Sequence, residues 1–359
     1  MSRRKFVICL LCLTALLFSA EQDMIGKLYK LAQSLQVVEM AERPAWATTD
    51  EPPLFRLAWI SDAHVMNKAS IANAQLVMHQ LRDELRPDGI LVTGDNCGLP
   101  PRLLGKCPKD QVASRRHAWF RDLLEKELGL PYIVLHGDNW ASSYSTVFGH
   151  HHKSCDFGGF HFIQLAPDAQ SPKDNGCAIY EQETLDWLEK DIEEHAAMPT
   201  LILQHEPIYP PCILDAGKIE DIIKKHNARR HSVIAVLSGH LHLDLQFQRK
   251  GWTQLVCPAL GTGQNYAFKM LAFYADRIIL TTYEFNAEQA KYVPVSKWQR
   301  LVIPSDARPT GEISKPLAIE NLTDGPGKDC RVDESLGQRE EELKRTMMNA
   351  LMQAVLFVK

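Results

Sequence analysis

The sequence predicts an α/β protein in which buried strands alternate with helices and a second sheet packs against the first. Two observations predict this class. Short apolar runs alternate with segments of helical periodicity between residues 54 and 237, a pattern typical of buried strands connected by helices. After residue 250 the apolar runs follow one another without helices between them, and this later part is expected to supply the second sheet.

The elements of the main body are predicted from runs of apolar residues and from their period. Strands are predicted over residues 54–60, 89–93, 132–135, 160–165, 200–203 and 233–237, followed by β-type runs near 252–257, 268–274, 277–285 and 299–303. Helices are predicted over residues 69–85, 111–128, 182–195 and 219–226. Residues 54–303 are therefore expected to form the main domain.

Two flanking segments are predicted on either side of this domain. Residues 21–53 are expected to form a helix over 21–42 and a linker, because apolar side chains recur there at helical spacing. Residues 304–333 are rich in proline, glycine and charge and predict an irregular linker. Residues 334–357 predict a C-terminal helix whose apolar stripe docks on the body, with a membrane-binding or partner-binding helix as the alternative.

The first twenty residues predict an export signal. Three basic residues precede an apolar run over 6–18, and small residues follow it, as in secretory signals. The run is shorter than the roughly 20 residues of a membrane span, although an uncleaved N-terminal anchor stays open. We therefore expect a periplasmic or extracellular protein. Arg3 and Arg4 also leave open a twin-arginine route.

Charge and cysteine content limit the function classes. The formal net charge of −4 argues against nucleic-acid binding by bulk electrostatics, and no membrane association is expected after signal removal. Seven of the nine cysteines follow residue 20 without a C-x-x-C pair, which excludes a zinc ribbon and does not fit a disulfide scaffold. A disulfide stays open, with Cys97 and Cys107 nearest; buried thiols are the alternative.

Five strings of metal-ligand residue types follow predicted strands. Ligands in α/β sheets collect beyond the carboxyl ends of the strands, so the five strings are expected to converge. A mixed set of carboxylates and imidazoles suits Zn, Fe or Mn, and glycines before three of these residues allow tight turns. The strings are Asp62-Ala63-His64, Gly94-Asp95, His136-Gly137-Asp138-Asn139, Gln204-His205-Glu206 and Gly239-His240-Leu241-His242.

The order of these strings resembles that of the calcineurin-like metallophosphoesterases over residues 54–285. The stretches 155–162 and 183–207 look most like the branch that contains class III cyclic-nucleotide phosphodiesterases and purple acid phosphatases. The resemblance implies a four-layer α/β/β/α sandwich of two mixed sheets flanked by helices, with a binuclear metal site at the strand carboxyl ends. It also implies hydrolysis of a phosphomonoester or phosphodiester by a metal-bridging hydroxide.

By the same resemblance, each of the seven ligands has an assigned ion. Asp62, His64 and His242 would hold one metal ion, and Asp95 would bridge the two ions. The second ion would be held by Asp138, His205 and His240.

The third string departs from the family pattern, which has Gly-Asn-His at these positions. Asp138 replaces the metal-binding Asn and lowers the net charge of two divalent ions with their carboxylates to about +1, from about +2. Asn139 replaces the His that assists the leaving group, and an amide donates a hydrogen bond but no proton. General acid catalysis contributes roughly 10²–10⁴-fold, so poor leaving groups would suffer most.

Two substitute proton donors are considered. His136 lies three residues before Asn139, and His150, His151 and His152 follow in the next loop. The alternatives are a His136 bonded to the backbone and a solvated triple-histidine loop. Asn96 is a candidate substrate contact, and Cys97 is expected to be a thiol near the site and not a ligand.

Two non-enzymatic hypotheses compete with a phosphoesterase. One is a degenerate protein that binds metal or phosphate on the same fold, motivated by Asp138 and Asn139. The other is a cell-surface interaction protein that uses residues 304–359. The expected enzyme substrate is a small phosphate ester, and its contacts are expected to lie on loops.

Overall fold

The computed structural model describes residues 26–28, 30–98, 112–139, 143–171, 177–261, 266–309, 317–327 and 329–357. The predicted export signal over 1–20 and Cys107 lie outside the described residues. Within the described ranges, no helix combines the length and apolar character needed to cross a bilayer.

The helices of the described chain are mostly those predicted from periodicity. Two of them, α2 and α3, continue through a wider final turn over Leu81–Leu85 and Leu124–Leu128, and a short helical turn over Glu334–Arg339 precedes α7. The helices are α1 (residues 26–28 and 30–33), α2 (Lys68–Gln80), α3 (Val112–Leu123), α4 (Ser145–Phe148), α5 (Gln182–Glu194), α6 (Ala216–Asn227) and α7 (Glu340–Phe357).

Sixteen strands lie in the described part of the chain. They are β1 (Phe55–Ile60), β2 (Gly89–Val92), β3 (Tyr132–Val134), β4 (Lys153–Phe157), β5 (Phe160–Gln164), β6 (Ala169–Gln170), β7 (Ala178–Ile179), β8 (Thr200–Leu203), β9 (Val233–Ser238), β10 (Leu245–Arg249), β11 (Trp252–Val256), β12 (Ala267–Phe273), β13 (Arg277–Asn286), β14 (Lys291–Val302), β15 (Glu320–Asp324) and β16 (Arg331–Val332).

These strands form two large mixed sheets, as predicted. The first has the order β14-β13-β12-β1-β2-β3, and the second has the order β10-β11-β9-β8-β5-β4-β15. In the first sheet β1, β2 and β3 are parallel neighbours, whereas β12 joins β1 antiparallel. In the second sheet β5, β8, β9 and β11 run parallel. A small third sheet contains β16, β6 and β7.

The four predicted layers follow from burial on both faces of each large sheet. Along β1, Phe55, Leu57 and Trp59 pack against the second sheet, while Ala58 and Ile60 pack against α2 and α3. Burial of alternate residues on opposite faces explains why β1 reads as a continuous apolar run. The outer face of the second sheet is covered by α5 and α6 in the same way, which completes the α/β/β/α sandwich.

Two flanking predictions need correction. The helix predicted over 21–42 ends near residue 33, because Gln36 forms a bridge with Leu245 and the Val37 amide donates to the Asp244 carbonyl oxygen at 2.8 Å. The linker predicted over 304–333 contains β15, which pairs with β4 at the edge of the second sheet. All five β15 side chains are exposed. Because the strand buries no face, its sequence has no alternating apolar pattern that would have predicted it.

Candidate metal centre

The carboxyl ends of five strands place all seven predicted ligands together. Ile60 of β1 pairs with Val92 of β2, and Val92 pairs with Val134 of β3, so the three chains leave the first sheet at the same level. Leu203 and Leu237 are aligned in the second sheet in the same way. The ligand strings begin one or two residues beyond these positions. The register therefore brings the seven predicted ligands to one edge.

The ligand atoms form two groups, and within each group all ligand atoms lie within 4.8 Å of one another. The first group contains Asp62, His64 and His242. In it the two Nε2 atoms of the histidines are 3.1 Å apart, and the Asp62 Oδ1 atom lies 3.2 Å from His242 Nε2. Two nitrogen ligands on one zinc ion are separated by roughly 3–3.4 Å, so this spacing suits a shared ion.

The second group contains Asp138, His205 and His240. Asp138 Oδ1 lies 3.4 Å from His205 Nε2, and Asp138 Oδ2 lies 3.6 Å from His240 Nδ1. These two groups are the same two sets that the sequence resemblance assigned to separate ions.

Asp95 lies between the two groups. Its Oδ2 atom is 3.5 Å from His64 Nε2 in the first group, and its Oδ1 atom is 3.5 Å from His205 Nε2 in the second. The carboxylate therefore presents one oxygen to each group, as a bridging ligand would.

The backbone of the site is unusually strained. Asp62, His64, Asp95, His240 and His242 have φ angles of 51°, 39°, 50°, 68° and 56°. Left-handed backbone is uncommon for residues other than glycine, although Asp and His adopt it more often than most. Such conformations persist where surrounding structure enforces them and cluster at functional sites. Five of the seven predicted ligands share this feature.

Two glycines allow the turns to pack directly on the ligands. A Cβ atom at Gly137 would overlap the Asp95 carboxylate, and one at Gly239 would overlap Ser61 and the Asp62 carboxylate. The His240 amide, directly after Gly239, donates to both Asp62 oxygens at 3.1–3.2 Å. The sequence expectation of tight glycine turns thus has a steric cause, which is contact between the backbone and a ligand carboxylate.

The buried charges of the site stabilise one another. Burial alone would raise the pKa of Asp62 and Asp138, but the neighbouring imidazoles, foremost His205 for Asp62 and His240 for Asp138, hold both pKa values well below the usual range. Burial would lower the pKa of His205, whereas Asp95 and Asp62 raise it well above the usual value. The site is therefore built to keep its carboxylates ionised and to attract positive charge.

His205 provides a test of whether an ion fits. Its Nδ1 donates to the Thr93 carbonyl oxygen at 2.7 Å, which aims Nε2 into the site. That buried Nε2 has no hydrogen-bond partner, although aspartate oxygens lie 3.4 to 3.9 Å away. Without a cation, the Nε2 lone pair would face three carboxylates, and either a proton or a metal ion removes that repulsion. The 3.4 to 3.9 Å separations are longer than hydrogen bonds and favour the metal ion. The residues present fit a metal ion.

Asn139 contacts the central carboxylate of the site. Its side-chain Nδ2 donates to Asp95 Oδ2 at 2.5 Å, and its backbone amide donates to Asp95 Oδ1 at 2.9 Å. Asn139 therefore fixes the orientation of the central carboxylate. We describe it as a positioning residue, and not as the catalytic residue that the motif position suggested.

The histidines considered as substitute proton donors are engaged in other contacts. His136 is buried, its Nδ1 donates to the Gly137 carbonyl oxygen at 3.0 Å, and burial and His151 lower its pKa to about 3. This is the backbone-bonded alternative, and a neutral ring is poorly suited to supply a proton. His151 and His152 are fully buried beside Asp168. The alternative of a solvated triple-histidine loop is therefore wrong for these two residues. His150 contacts the Gly325 carbonyl oxygen at 2.9 Å.

Asn96, a candidate substrate contact in the sequence, and Cys97 are both buried beside the candidate metal centre. Asn96 is buried and its amide donates to the Leu135 carbonyl oxygen at 2.7 Å, so it supports the loop. Cys97 is buried, and its Sγ lies 3.8 Å from the Val65 carbonyl oxygen. The six described cysteines are all buried, and the structure places no disulfide among them.

Two functional contributions were missed by sequence reasoning. The Thr93 carbonyl oxygen orients His205, and a backbone acceptor leaves no signature in a sequence. Glu206 follows His205 in the chain and is buried, and burial raises the pKa of its carboxyl group to about 7. Its position in the string after β8 was visible, but its burial was not.

Comparison with solved structures decides the fold. A dimetal phosphatase from Danio rerio superimposes with a TM-score of 0.50 at 14% identity, covering 68% of this chain and 99% of its own. The chain has the calcineurin-like metallophosphoesterase fold. GAP50, the anchor in the inner membrane complex of Plasmodium, matches with a TM-score of 0.47 at 12% identity over 80% of this chain and 94% of its own.

A third structure with the metallophosphoesterase fold, Vps29 from Entamoeba histolytica, matches with a TM-score of 0.37 at 14% identity over 69% of this chain and 99% of its own. No protein-family model matches the sequence, and no curated protein matches it. The metallophosphoesterase fold is therefore visible in the arrangement of the elements more than in overall sequence similarity.

Proposed function

We propose that this protein is an exported, metal-dependent phosphoesterase that hydrolyses a small phosphomonoester or phosphodiester. The observation that carries the proposal is the pair of ligand groups with Asp95 between them. Asp62, His64 and His242 would hold one ion, Asp138, His205 and His240 would hold another, and Asp95 would contact both. A solved protein of the same fold is described as a dimetal phosphatase, which supports this reading.

The mixed nitrogen and oxygen donors suit Mn, Fe or Zn. When bound, two such ions supply positive charge to a phosphoryl group and lower the pKa of water. The chain contributes the orientation of the ligands, since Thr93 fixes His205 and Asn139 fixes Asp95. Export is supported only by the sequence of residues 1–20 and is part of the proposal.

The position of Asn139 shapes the expected substrate preference. Because its amide is held by Asp95 and its neighbour His136 is buried, neither is suited to protonate a leaving alkoxide. Esters of acidic alcohols such as nitrophenol need little protonation and should react best. Simple alkyl leaving groups should react far more slowly.

The test is metal-stimulated turnover of p-nitrophenyl phosphate and bis-p-nitrophenyl phosphate by the purified protein with Mn²⁺, Fe²⁺ or Zn²⁺. We expect turnover that requires metal and is lost in His240→Ala. His231→Ala is the matched control, because His231 is an exposed histidine that precedes β9, whereas His240 follows the other end of that strand. Absence of turnover with every metal would exclude the enzymatic proposal.

A second candidate function is a degenerate protein that binds metal or phosphate without turnover. It is favoured by Asp138 and by the hydrogen bond that occupies the Asn139 amide. The double variant Asp138→Asn with Asn139→His restores the usual family pair. A gain of activity over a silent parent would support this second function, whereas an active parent with no gain in the variant would reject it.

A further inference from the structure

An apolar cavity opens beside the first ligand group. Its volume is about 320 Å³, and His240 and His242 form part of its wall. Ligand pockets of proteins begin at roughly 300 Å³, so the space is large enough for a small organic group. Two of the seven proposed ligands therefore line the cavity, which adjoins the candidate metal centre.

Most of the remaining lining comes from the two flanking helices. Leu28 and Ala32 of α1 contribute one side, and Leu343, Met347 and Leu351 of α7 contribute the other. These residues belong to one apolar cluster with Leu243 and Leu245, apart from Leu343, which is itself buried. The two segments that sequence analysis placed outside the main domain thus complete a wall of its candidate active site.

The position of α7 is fixed by contacts beyond the apolar stripe. The Tyr209 hydroxyl donates to the Ala350 carbonyl oxygen at 3.1 Å, and Cys212 Sγ lies 3.5 Å from Met347 Sδ. The predicted docking role of the C-terminal helix matches these contacts. The cavity is thus framed by docked helices and not by a single loop.

The polar groups of the lining are few and are already engaged. Lys344 forms an ion pair with Glu340 at 2.8 Å, one helical turn apart, and both side chains are largely buried. Apart from this pair, Cys212 and the two histidines, the lining side chains are aliphatic. A sugar or base would lose its hydrogen bonds to water in such a cavity, whereas an alkyl or aryl group gains by leaving water.

We propose that the cavity binds an apolar arm of the substrate, so that the substrate class is a phosphoester or phosphonate-like anion carrying an alkyl or aryl group. This inference rests on the proposed function, because it assumes that the phosphoryl group binds at the two ligand groups. It adds that α1 and α7 determine specificity through the apolar arm.

The test uses non-hydrolysable ligands, so that binding is measured independently of turnover. Methyl-, butyl- and hexylphosphonate are titrated into the Mn²⁺-loaded protein by calorimetry. Each buried methylene is expected to tighten binding by about two- to fourfold, so hexylphosphonate should bind at least about 30-fold more tightly than methylphosphonate. Affinity that does not depend on chain length, or no binding of hexylphosphonate, would overturn the inference.

Two variants on the same helix localise the effect. Met347→Trp places a large ring in the cavity and should bring the affinity for hexylphosphonate close to that for methylphosphonate. Met352→Trp makes the same change at an exposed position, 51% accessible, and should retain the chain-length dependence. Equal behaviour of the two variants would contradict the assignment to this cavity.

The outcomes separate the two proposals. Chain-length-dependent binding without turnover of nitrophenyl esters would reject the enzymatic function and retain the apolar site. Metal-dependent turnover with no chain-length effect would retain the enzyme and reject the apolar site.

Discussion

His205 in the candidate metal centre and His161 on β5 are both buried histidines that face aspartates. His161 Nδ1 lies 2.8 Å from Asp156 Oδ1, and its Nε2 lies 2.8 Å from Asp191 Oδ2. Around His205 Nε2 the aspartate oxygens lie 3.4 to 3.9 Å away. We call the His161 cluster closed, because both ring nitrogens have a hydrogen-bond partner, and the His205 cluster open, because Nε2 has none.

The partners of the aspartates differ in the same way. Asp191 also accepts from the Ser154 hydroxyl at 2.7 Å, and Asp156 accepts from the Asn321 amide at 2.6 Å. The burial of His161 would lower its pKa, but Asp191 and Asp156 raise it. A protonated His161 therefore satisfies its cluster without any ion. Although Asp156, His161 and His195 also form a metal-sized group, we expect no metal there.

The comparison shows that residue types alone do not distinguish an ion pair from a metal site. What distinguishes them is whether each ring nitrogen reaches a partner at hydrogen-bond distance. Four predictions test this distinction.

The largest expected effect is on folding stability when the closed cluster is broken. His161→Ala leaves two buried carboxylates without their cation, which should lower the free energy of unfolding by about 3–5 kcal/mol. Urea unfolding measures the change, and His231→Ala, an exposed histidine, should stay within about 0.5 kcal/mol of wild type. A small loss in His161→Ala would show that the cluster is not ionic.

The next largest effect is the stabilisation of the folded protein by metal ions, which should depend on the cluster around His205 and not on the cluster around His161. Free Mn²⁺ or Zn²⁺ at about 100 times its dissociation constant should stabilise the wild-type protein by about 2.7 kcal/mol per site. Thermal unfolding with added metal or chelator measures this gain, which should persist in His161→Gln. In His205→Ala the gain should be reduced, because one ion loses a ligand. An undiminished gain there would place the metal elsewhere.

A smaller effect is expected from the residue that orients Asp95. Asn139→Ala removes the hydrogen bond to Asp95 Oδ2, and loss of a group that orients a ligand typically weakens metal affinity by about 10–100-fold. Competition with a fluorescent chelator measures the affinity, and Asn139→Asp serves as a probe of charge at the same size. Unchanged affinity in Asn139→Ala would remove the positioning role.

The smallest effect is the pH dependence of the closed cluster. Because the folded-state pKa of His161 is raised, its stabilisation is fully present below its unfolded pKa of about 6.5 and is lost as the pH rises through the folded pKa. The difference in unfolding free energy between wild type and His161→Gln should therefore shrink toward alkaline pH. A difference that grows with pH would show that His161 is neutral when folded.

Much of the fold was predictable because its signals are local. The apolar run of β1 and the helical spacing of α5 depend on neighbouring residues, and both were predicted within a residue or two of their observed ends. The exposed β15 and the early end of α1 were not predictable. Both depend on pairing with distant strands, which local periodicity does not record.

In the candidate site, too, the residue types were predictable from the sequence and the contacts between distant residues were not. The identities of the seven proposed ligands were readable as residue types after strands, and the structure brings all seven to one edge. The contact of the Asn139 amide with Asp95 was not predicted, because its motif position suggested contact with the leaving group. Motif position records the order of residues along the chain, and it does not record which atom a side chain reaches.

The sequence by itself determined the period of each strand and helix and the chemical types that end the strands. Only the tertiary structure decided that His205 stays open while His161 is closed, and that α1 and α7 wall the cavity beside His240. The physical reason is that hydrogen-bond satisfaction depends on differences of less than 1 Å between residues far apart in sequence, and these distances are set by sheet register and packing.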